Sequence, residues 1–297
     1  MTRVASCVAT GMAAVVAVGV GGPASLPRGA SPPAPHADFT VSSYNVLGSS
    51  HTDGSTEYAS GTARIRSGVE LLASHGTDVV GFNEMQPDQL ATFLEVTDGD
   101  YGIYPGAELE PVNGRDSIAW STSRWELVEA RTFDIPYFDG RMRAMPVVLL
   151  RDKATGLGAY FVNVHNPATN AKHPGSDPYR IQATTIEIDL VNELRLSGLP
   201  VIVLGDMNER EYYFCRMTGE APMKAARGGT NIDGVCDADH PASVSWIFGS
   251  QGLGFSGYVE DETAREQKIT DHRVLFSDVQ IDGAQFPGAM TVPAPAP

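Results

Sequence analysis

Pro200-Val201-Ile202-Val203-Leu204-Gly205-Asp206-Met207-Asn208 is the stretch from which the rest of the chain can be read. Five apolar residues break abruptly into glycine, aspartate and asparagine. A short, wholly apolar run bounded by turn residues is the pattern of a strand buried on both faces. Gly205-Asp206-Met207-Asn208 by itself is either an ordinary turn or a site, because Gly, Asp and Asn all favour turns. The same plan recurs on either side. Asp38 to Val46 alternates apolar and polar residues and carries Asn45 near its end, and Asp78 to Met85 ends in Asn83-Glu84. Met145 to Val164 runs into His165, and Asp271-His272 opens the strand His272 to Phe276. Carboxylates, amides and imidazoles at the ends of rigid strands suit the binding of a hard cation. Oxygen donors predominate, so magnesium, manganese or calcium fits better than zinc or copper.

The intervening sequence fixes the fold class. Apolar residues at helical spacing predict helices over Glu57–His75, Asp88–Val96 and Tyr179–Leu196. Ser117 to Ile135 and Met145 to Val164 are rich in Val, Ile and aromatics, and Val244 to Phe248 is a further strand. Residues 209–242 lack clear periodicity and read as a long loop with some helix. Strands outnumber helices without alternating strictly with them. That predicts an α+β protein, a four-layer α/β/β/α sandwich of two mainly antiparallel sheets with outer helices.

At the ends the composition changes. Met1-Thr2-Arg3 is a short basic start, Val4 to Gly22 carries no charge, and Gly22 to Pro35 is rich in Pro, Ala, Ser and Gly. This is the plan of a secretory signal peptide. A membrane anchor would need ~20 residues richer in Leu and Ile than this run of Ala and Gly. The expected organisation is a signal peptide and leader over residues 1–36, a single domain over 37–285, and a disordered Pro/Ala tail over 286–297. Export leaves Cys215 and Cys236 as an even pair, which an oxidising compartment would bridge. The formal charge is −15. Such a chain repels polyanions at long range, which argues against high-affinity nucleic-acid binding without excluding a cation-assisted nuclease.

Five segments now carry a resemblance. Ser43-Tyr44-Asn45-Val46, Val80-Gly81-Phe82-Asn83-Glu84-Met85-Gln86, Asn163-Val164-His165, Val203-Leu204-Gly205-Asp206-Met207-Asn208 and Thr270-Asp271-His272 resemble the successive signatures of the endonuclease/exonuclease/phosphatase superfamily. Within it, the chain resembles secreted deoxyribonuclease-like members. The resemblance implies that Glu84, with Asn45 and Asp271, holds a divalent cation (Mg²⁺, or Mn²⁺ or Ca²⁺) on a phosphate oxygen. It implies that Asp206 activates water, Asn208 fixes the carboxylate or the phosphate, His165 protonates the leaving oxygen and His272 binds a non-bridging oxygen. Arg143 resembles an arginine placed on the scissile phosphate, with Arg141 as its rival. One position departs from the pattern: Ser245 stands where the family usually has an aspartate beside the equivalent of His272. His272 is then expected to be less basic than its equivalents in the family, or to be paired by a nearby acid such as Asp237 or Asp239.

The expected function is that of a secreted, divalent-metal-dependent phosphodiester hydrolase of endonuclease-like type. The alternatives are a sphingomyelinase-like head-group phosphodiesterase, a phosphomonoesterase, and a catalytically silent binding protein. The expected partner is a phosphate-ester substrate, nucleic acid among the candidates. No stable membrane partner is expected after signal cleavage, and the expected state is a monomer.

Overall fold

The computed structural model describes residues 1–2, 11, 34–239 and 241–294. The chain divides into units of residues 1–33 and 34–297, and the fold described is that of the second. The expected signal peptide lies almost wholly outside the described residues. Among the described residues no helix is long and apolar enough to cross a membrane.

In chain order the first half holds β1 (His36–Asn45), α1 (Gly61–Ser74), β2 (Val79–Asn83), α2 (Pro87–Thr97), β3 (Tyr101–Tyr104), β4 (Ser117–Ser121), β5 (Trp125–Pro136), β6 (Met142–Asp152) and β7 (Gly158–His165). The second holds α3 (Asp177–Arg195), β8 (Val201–Asp206), α4 (Glu211–Glu220), β9 (Met223–Ala225), β10 (Thr230–Ile232), β11 (Val235–Asp237), β12 (Ser245–Ser250), β13 (Gly254–Asp261), α5 (Thr263–Glu266) and β14 (Val274–Asp282). One six-stranded sheet runs β13-β14-β1-β2-β4-β3 and the other β5-β6-β7-β8-β12-β9. Each has one parallel pair, β1 with β2 and β7 with β8, among otherwise antiparallel neighbours. A parallel pair needs a long crossover, supplied by α1 in one sheet and α3 in the other.

Side-chain alternation explains the layers. On β8, Ile202 and Leu204 face the other sheet and join Phe39, Val41, Trp125, Phe161 and Leu275 in the central core. Val201 and Val203 face outward, under Val191 and Leu194 of α3 and Tyr213 and Met217 of α4. On β2, Val79 points to the central core while Val80 and Phe82 lie under Ile65 of α1 and Phe93 of α2. A strand covered on both faces has no polar side, which is why Pro200 to Leu204 reads as uninterrupted apolar sequence. The three cores separate four layers, as expected.

Two expectations need correction. Residues 209–242 are mostly ordered: α4, β9 and the β10–β11 ribbon occupy them, and a disulfide joins Cys215 of α4 to Cys236 of the ribbon. Each element is too short for a period to show. The strands β3 and β13 carry no sequence signal either. β3 has four residues, and β13 is an edge strand broken by an irregularity between Ser256 and Val259. The tail is not disordered throughout. Pro287–Thr291 forms a 3₁₀ turn, Ala289 is buried, and Val292 packs on the central core. Gly158 makes this possible, since a Cβ there would lie 2.4 Å from Val292 Cγ2.

One core residue is out of character. Glu187 of α3 is buried and accepts a hydrogen bond from the Tyr213 hydroxyl at 2.8 Å. Burial pushes its carboxyl up from 4.5 to about 7, against the smaller opposing effect of the Tyr213 hydrogen bond. A carboxyl raised on folding favours the folded state below its unfolded value, and that contribution is lost as pH rises from 4.5 to about 7. Glu187→Gln keeps an acceptor for Tyr213 and is expected to raise stability at pH 8 by about 3 kcal/mol. Urea unfolding between pH 4 and 8 checks this; an unchanged pH slope in the variant would refute it.

Candidate active site

The parallel pairs bring the strand ends together. Their registers set Asn45 beside Asn83 in one sheet and His165 beside Asp206 in the other. Buried amides then tie the two sheets to each other. Asn83 Nδ2 donates to Val164 O (3.0 Å) and Asp116 Oδ1 (3.2 Å), and its Oδ1 accepts from Asp206 N (3.0 Å). Asn163 Nδ2 donates to Phe82 O (2.8 Å), and Ser43 Oγ accepts from Gly205 N (3.1 Å). Within one sheet, β7 and β8 lie so that a Cβ on Gly205, at φ 136°, would fall 2.0 Å from Val164 O.

Asn45, buried at this seam, links the two candidate carboxylates. Its Nδ2 lies 3.2 Å from both Glu84 Oε1 and Asp206 Oδ2. Glu84 leaves β2 in the left-handed region, at φ 64°, and Asn208 follows β8 at φ 48°. Such conformations cost about 1–3 kcal/mol in a non-glycine residue and concentrate at functional sites. They turn both side chains off their strand ends toward the cleft. Asp206 Oδ1 accepts from Asn208 N at 2.9 Å, and Asn208 Nδ2 donates to Asn166 O at 2.8 Å. His165 Nε2 lies 3.9 Å from Glu84 Oε1 and 4.0 Å from Asp206 Oδ2, and His272 Nδ1 lies 3.6 Å from Asp206 Oδ2.

Most of the expected residues therefore converge: Asn45, Glu84, His165, Asp206, Asn208 and His272. Asp271 is half exposed and adjoins His272 Nε2 at 3.7 Å, outside the lining of the cleft. Arg143 lines the cleft but is already engaged. Its Nη1 is 3.5 Å from Asp116 Oδ2, and its guanidinium lies 4.0 Å from the centroid of the Tyr137 ring. Ser245 is buried opposite Asp206 with its hydroxyl unpartnered. Asp237 and Asp239 are exposed, and the acids beside His272 are Asp206 and Asp271.

Four contributors escaped the sequence reading. Asp116, fully buried at the entrance to β4, lies 3.1 Å from His165 Nδ1. Burial alone would lower the His165 pKa, but the Asp116 charge and hydrogen bond, with Asp206 and Glu84, raise it overall. The Tyr137 hydroxyl lies 3.4 Å from His165 Nε2, and burial pushes its pKa far up, so it stays protonated. His51 Nδ1 lies 2.9 Å from Glu84 Oε2. Burial would raise the Glu84 pKa; the His51 hydrogen bond, the His165 and His51 charges and the Asn45 hydrogen bond hold it well below the usual carboxylate range. Arg115, beside Asp116, lines the same cleft. An acid preceding an apolar strand was the only visible signal for Asp116; the other three stand in irregular segments with none.

The cleft has a volume of about 750 Å³. Among the described residues no three or more His, Cys, Asp or Glu side chains are grouped to hold a metal ion by themselves. That donor set suits a hard, hydrated cation, which takes one or two carboxylates and completes its shell with water and substrate phosphate. Glu84, an ionised carboxylate facing the cleft, offers the donor chemistry such an ion needs, while Asn45 turns its amide nitrogen to the carboxylates and its oxygen to Leu47 N.

A two-sheet sandwich with carboxylates, amides and two imidazoles converging at its strand ends defines a phosphoesterase of the hydrolase class. The chain belongs to the endonuclease/exonuclease/phosphatase family, whose model matches residues 42–264. Family members generally use divalent metals. Among solved structures, an endonuclease/exonuclease/phosphatase family protein from Bacteroides thetaiotaomicron is 17% identical over 84% of this chain and 97% of its own, at a TM-score of 0.64. The catalytic domain of human Nocturnin, with bound sulfate, is 15% identical over 83% of this chain and 97% of its own, at 0.61. A mannosyl-6-phosphatase from Bacteroides thetaiotaomicron is 17% identical over 81% of this chain and 99% of its own, at 0.61. At these identities the likeness is one of fold. Comparison with curated proteins gives no match.

Proposed function

We propose that the protein hydrolyses phosphate esters by direct attack of water, with Mg²⁺ or a similar divalent cation held by Glu84. When bound, the cation neutralises charge on the phosphate as it passes to the transition state. Asp206 orients the attacking water and takes its proton. Asn208 N on Oδ1 and Asn45 Nδ2 on Oδ2 fix the plane of that carboxylate. His165, whose charged form Asp116 favours, gives its proton to the leaving oxygen, and the Tyr137 hydroxyl orients the ring. His272, also on the lining of the cleft, donates to a non-bridging oxygen.

The observation that carries this reading is the convergence of Glu84, Asp206, His165 and His272 around Asn45, drawn from both sheets. The acidic chain and the compact cleft favour a small ester. An endonuclease-like phosphodiesterase is the second reading, favoured by exposed Arg141 on the lining of the cleft. The leader and the Cys215–Cys236 disulfide both support a place outside the cell.

Hydrolysis of 4-nitrophenyl phosphate, bis(4-nitrophenyl) phosphate, sphingomyelin and plasmid DNA, each with magnesium and with EDTA, tests the proposal. Turnover of at least one substrate is expected with magnesium and is expected to fall to background in EDTA. Turnover that persists in EDTA would exclude the cation, and no turnover by folded, magnesium-loaded protein would leave the silent binding protein as the better account.

A further inference from the structure

We infer that the cleft recognises a compact phosphate ester carrying a second phosphate group, bound by Arg115, Arg141 and Lys172; the inference rests on the phosphoesterase reading of the same cleft. The three residues line the cleft beside the catalytic cluster. Arg141 follows the turn Phe138–Gly140 between β5 and β6. Lys172 lies in the loop between β7 and α3, and the two segments are joined where Phe138 stacks on His173, with ring centroids 3.9 Å apart. Arg115 comes from the segment before β4, so three separate parts of the chain deliver one cation each.

None of the three meets a carboxylate within ion-pair distance among the described residues. Elsewhere on this chain, whose formal charge is −15, most arginines do: Arg66, Arg124, Arg131, Arg151, Arg180, Arg216, Arg227, Arg265 and Arg273 each have an acidic partner. The Arg115 Nε is buried and makes no hydrogen bond. A buried donor left without a partner is costly, and such a group calls for an explanation. Arg143, the fourth cation of the cleft, is already engaged by Asp116 and Tyr137. The acids of the cleft do not neutralise the others: Glu84 and Asp206 are bound to Asn45, and Asp139 faces His173 at 3.6 Å. Two guanidinium forks and an ammonium match a phosphate dianion. Exposed Val112 and Met142 lie on the same lining and offer contact for the organic part of the ester. A cleft of about 750 Å³ has the size of a small-molecule site, and the charge on the rest of the surface disfavours a long polyanion.

Calorimetric titration of the full chain in EDTA separates this inference from catalysis. The probes are adenosine 3′,5′-bisphosphate and inorganic pyrophosphate, compared with adenosine 5′-monophosphate and inorganic phosphate. At least one doubly phosphorylated probe is expected to bind about tenfold or more tightly than its monophosphate counterpart. The Arg141→Gln/Lys172→Gln double variant is expected to bring that ratio close to one. Both residues are exposed, so the fold should survive the change. Arg265→Gln, an exposed charge control outside the cleft, should leave the ratio as it was. Equal affinity for singly and doubly phosphorylated probes, or a preference that survives the double variant, would overturn the inference. Preferential binding without magnesium-dependent turnover would leave the subsite standing and refute the hydrolytic reading instead.

Discussion

Replacing His165 by alanine is expected to lower kcat on any ester the protein hydrolyses by about 10²–10⁴-fold, the usual contribution of a positioned general acid. The leaving oxygen would then depart without a proton. Asp116 acts through the imidazole and is a positioning residue. With burial opposing the charged ring, the Asp116 charge is the largest influence that raises the His165 pKa. Asp116→Asn is therefore expected to shift the alkaline fall of the pH–rate profile toward lower pH, as well as to reduce kcat. The sign follows from the role: a general acid works below its pKa, and lowering the pKa lowers the pH at which the acid is lost. The pair also ties pH to stability. A histidine raised on folding stabilises below its ordinary value, and the contribution fades as pH rises through the folded one. Asp116→Asn additionally leaves Arg143 buried without its counter-charge, so its melting temperature should fall while that of His165→Ala changes less. Profiles of kcat and kcat/KM against pH, measured beside melting curves, check both statements. An Asp116→Asn profile superimposable on the parent would break the link between the two residues.

The second large effect is expected at a residue outside the chemistry. Asn83→Ala removes three hydrogen bonds at once; it leaves Asp206 N and Val164 O buried without them and Asp116 Oδ1 with His165 alone. Each such loss costs about 1–3 kcal/mol. The combined destabilisation is expected to reach roughly 3–5 kcal/mol, a large part of the stability of an ordinary domain. Two of the freed groups belong to the backbone of Asp206 and the acid behind His165, so kcat should fall even in molecules that remain folded. Urea unfolding and turnover at low temperature, where the variant is still native, separate the effects. Parent-like stability would mean that the Asn83 hydrogen bonds contribute nothing net to holding the two sheets together at this end.

These two cases divide what a linear reading can and cannot supply. His165 and Asp206 were visible because each ends a strong apolar strand, and a polar residue in that place stands out. Asp116 was not, because a lone acid before a strand is common and its partner lies 49 positions away. Asn83 was visible as part of a signature, while its bonds to Val164, 81 positions on, and Asp206, 123 positions on, were not. Arg143 was expected to be free for the substrate; only the packing shows it committed to Asp116 and Tyr137.

The sequence by itself determined the α+β sandwich, the strands that bear the site, the cysteine pair and the kind of atoms the site offers. Those properties follow from local patterns: period-two alternation, apolar runs covered on both faces, turn residues and the chemistry of individual side chains. Tertiary structure alone decided which groups became partners. It seated Asp116 on His165, set His51 on Glu84, occupied Arg143 and left Arg115, Arg141 and Lys172 facing one cleft. It also drew Phe286 to Val292 onto the core through the gap at Gly158. Partnership depends on distance, burial and the removal of competing water, and these arise only once segments far apart in the chain have packed against each other.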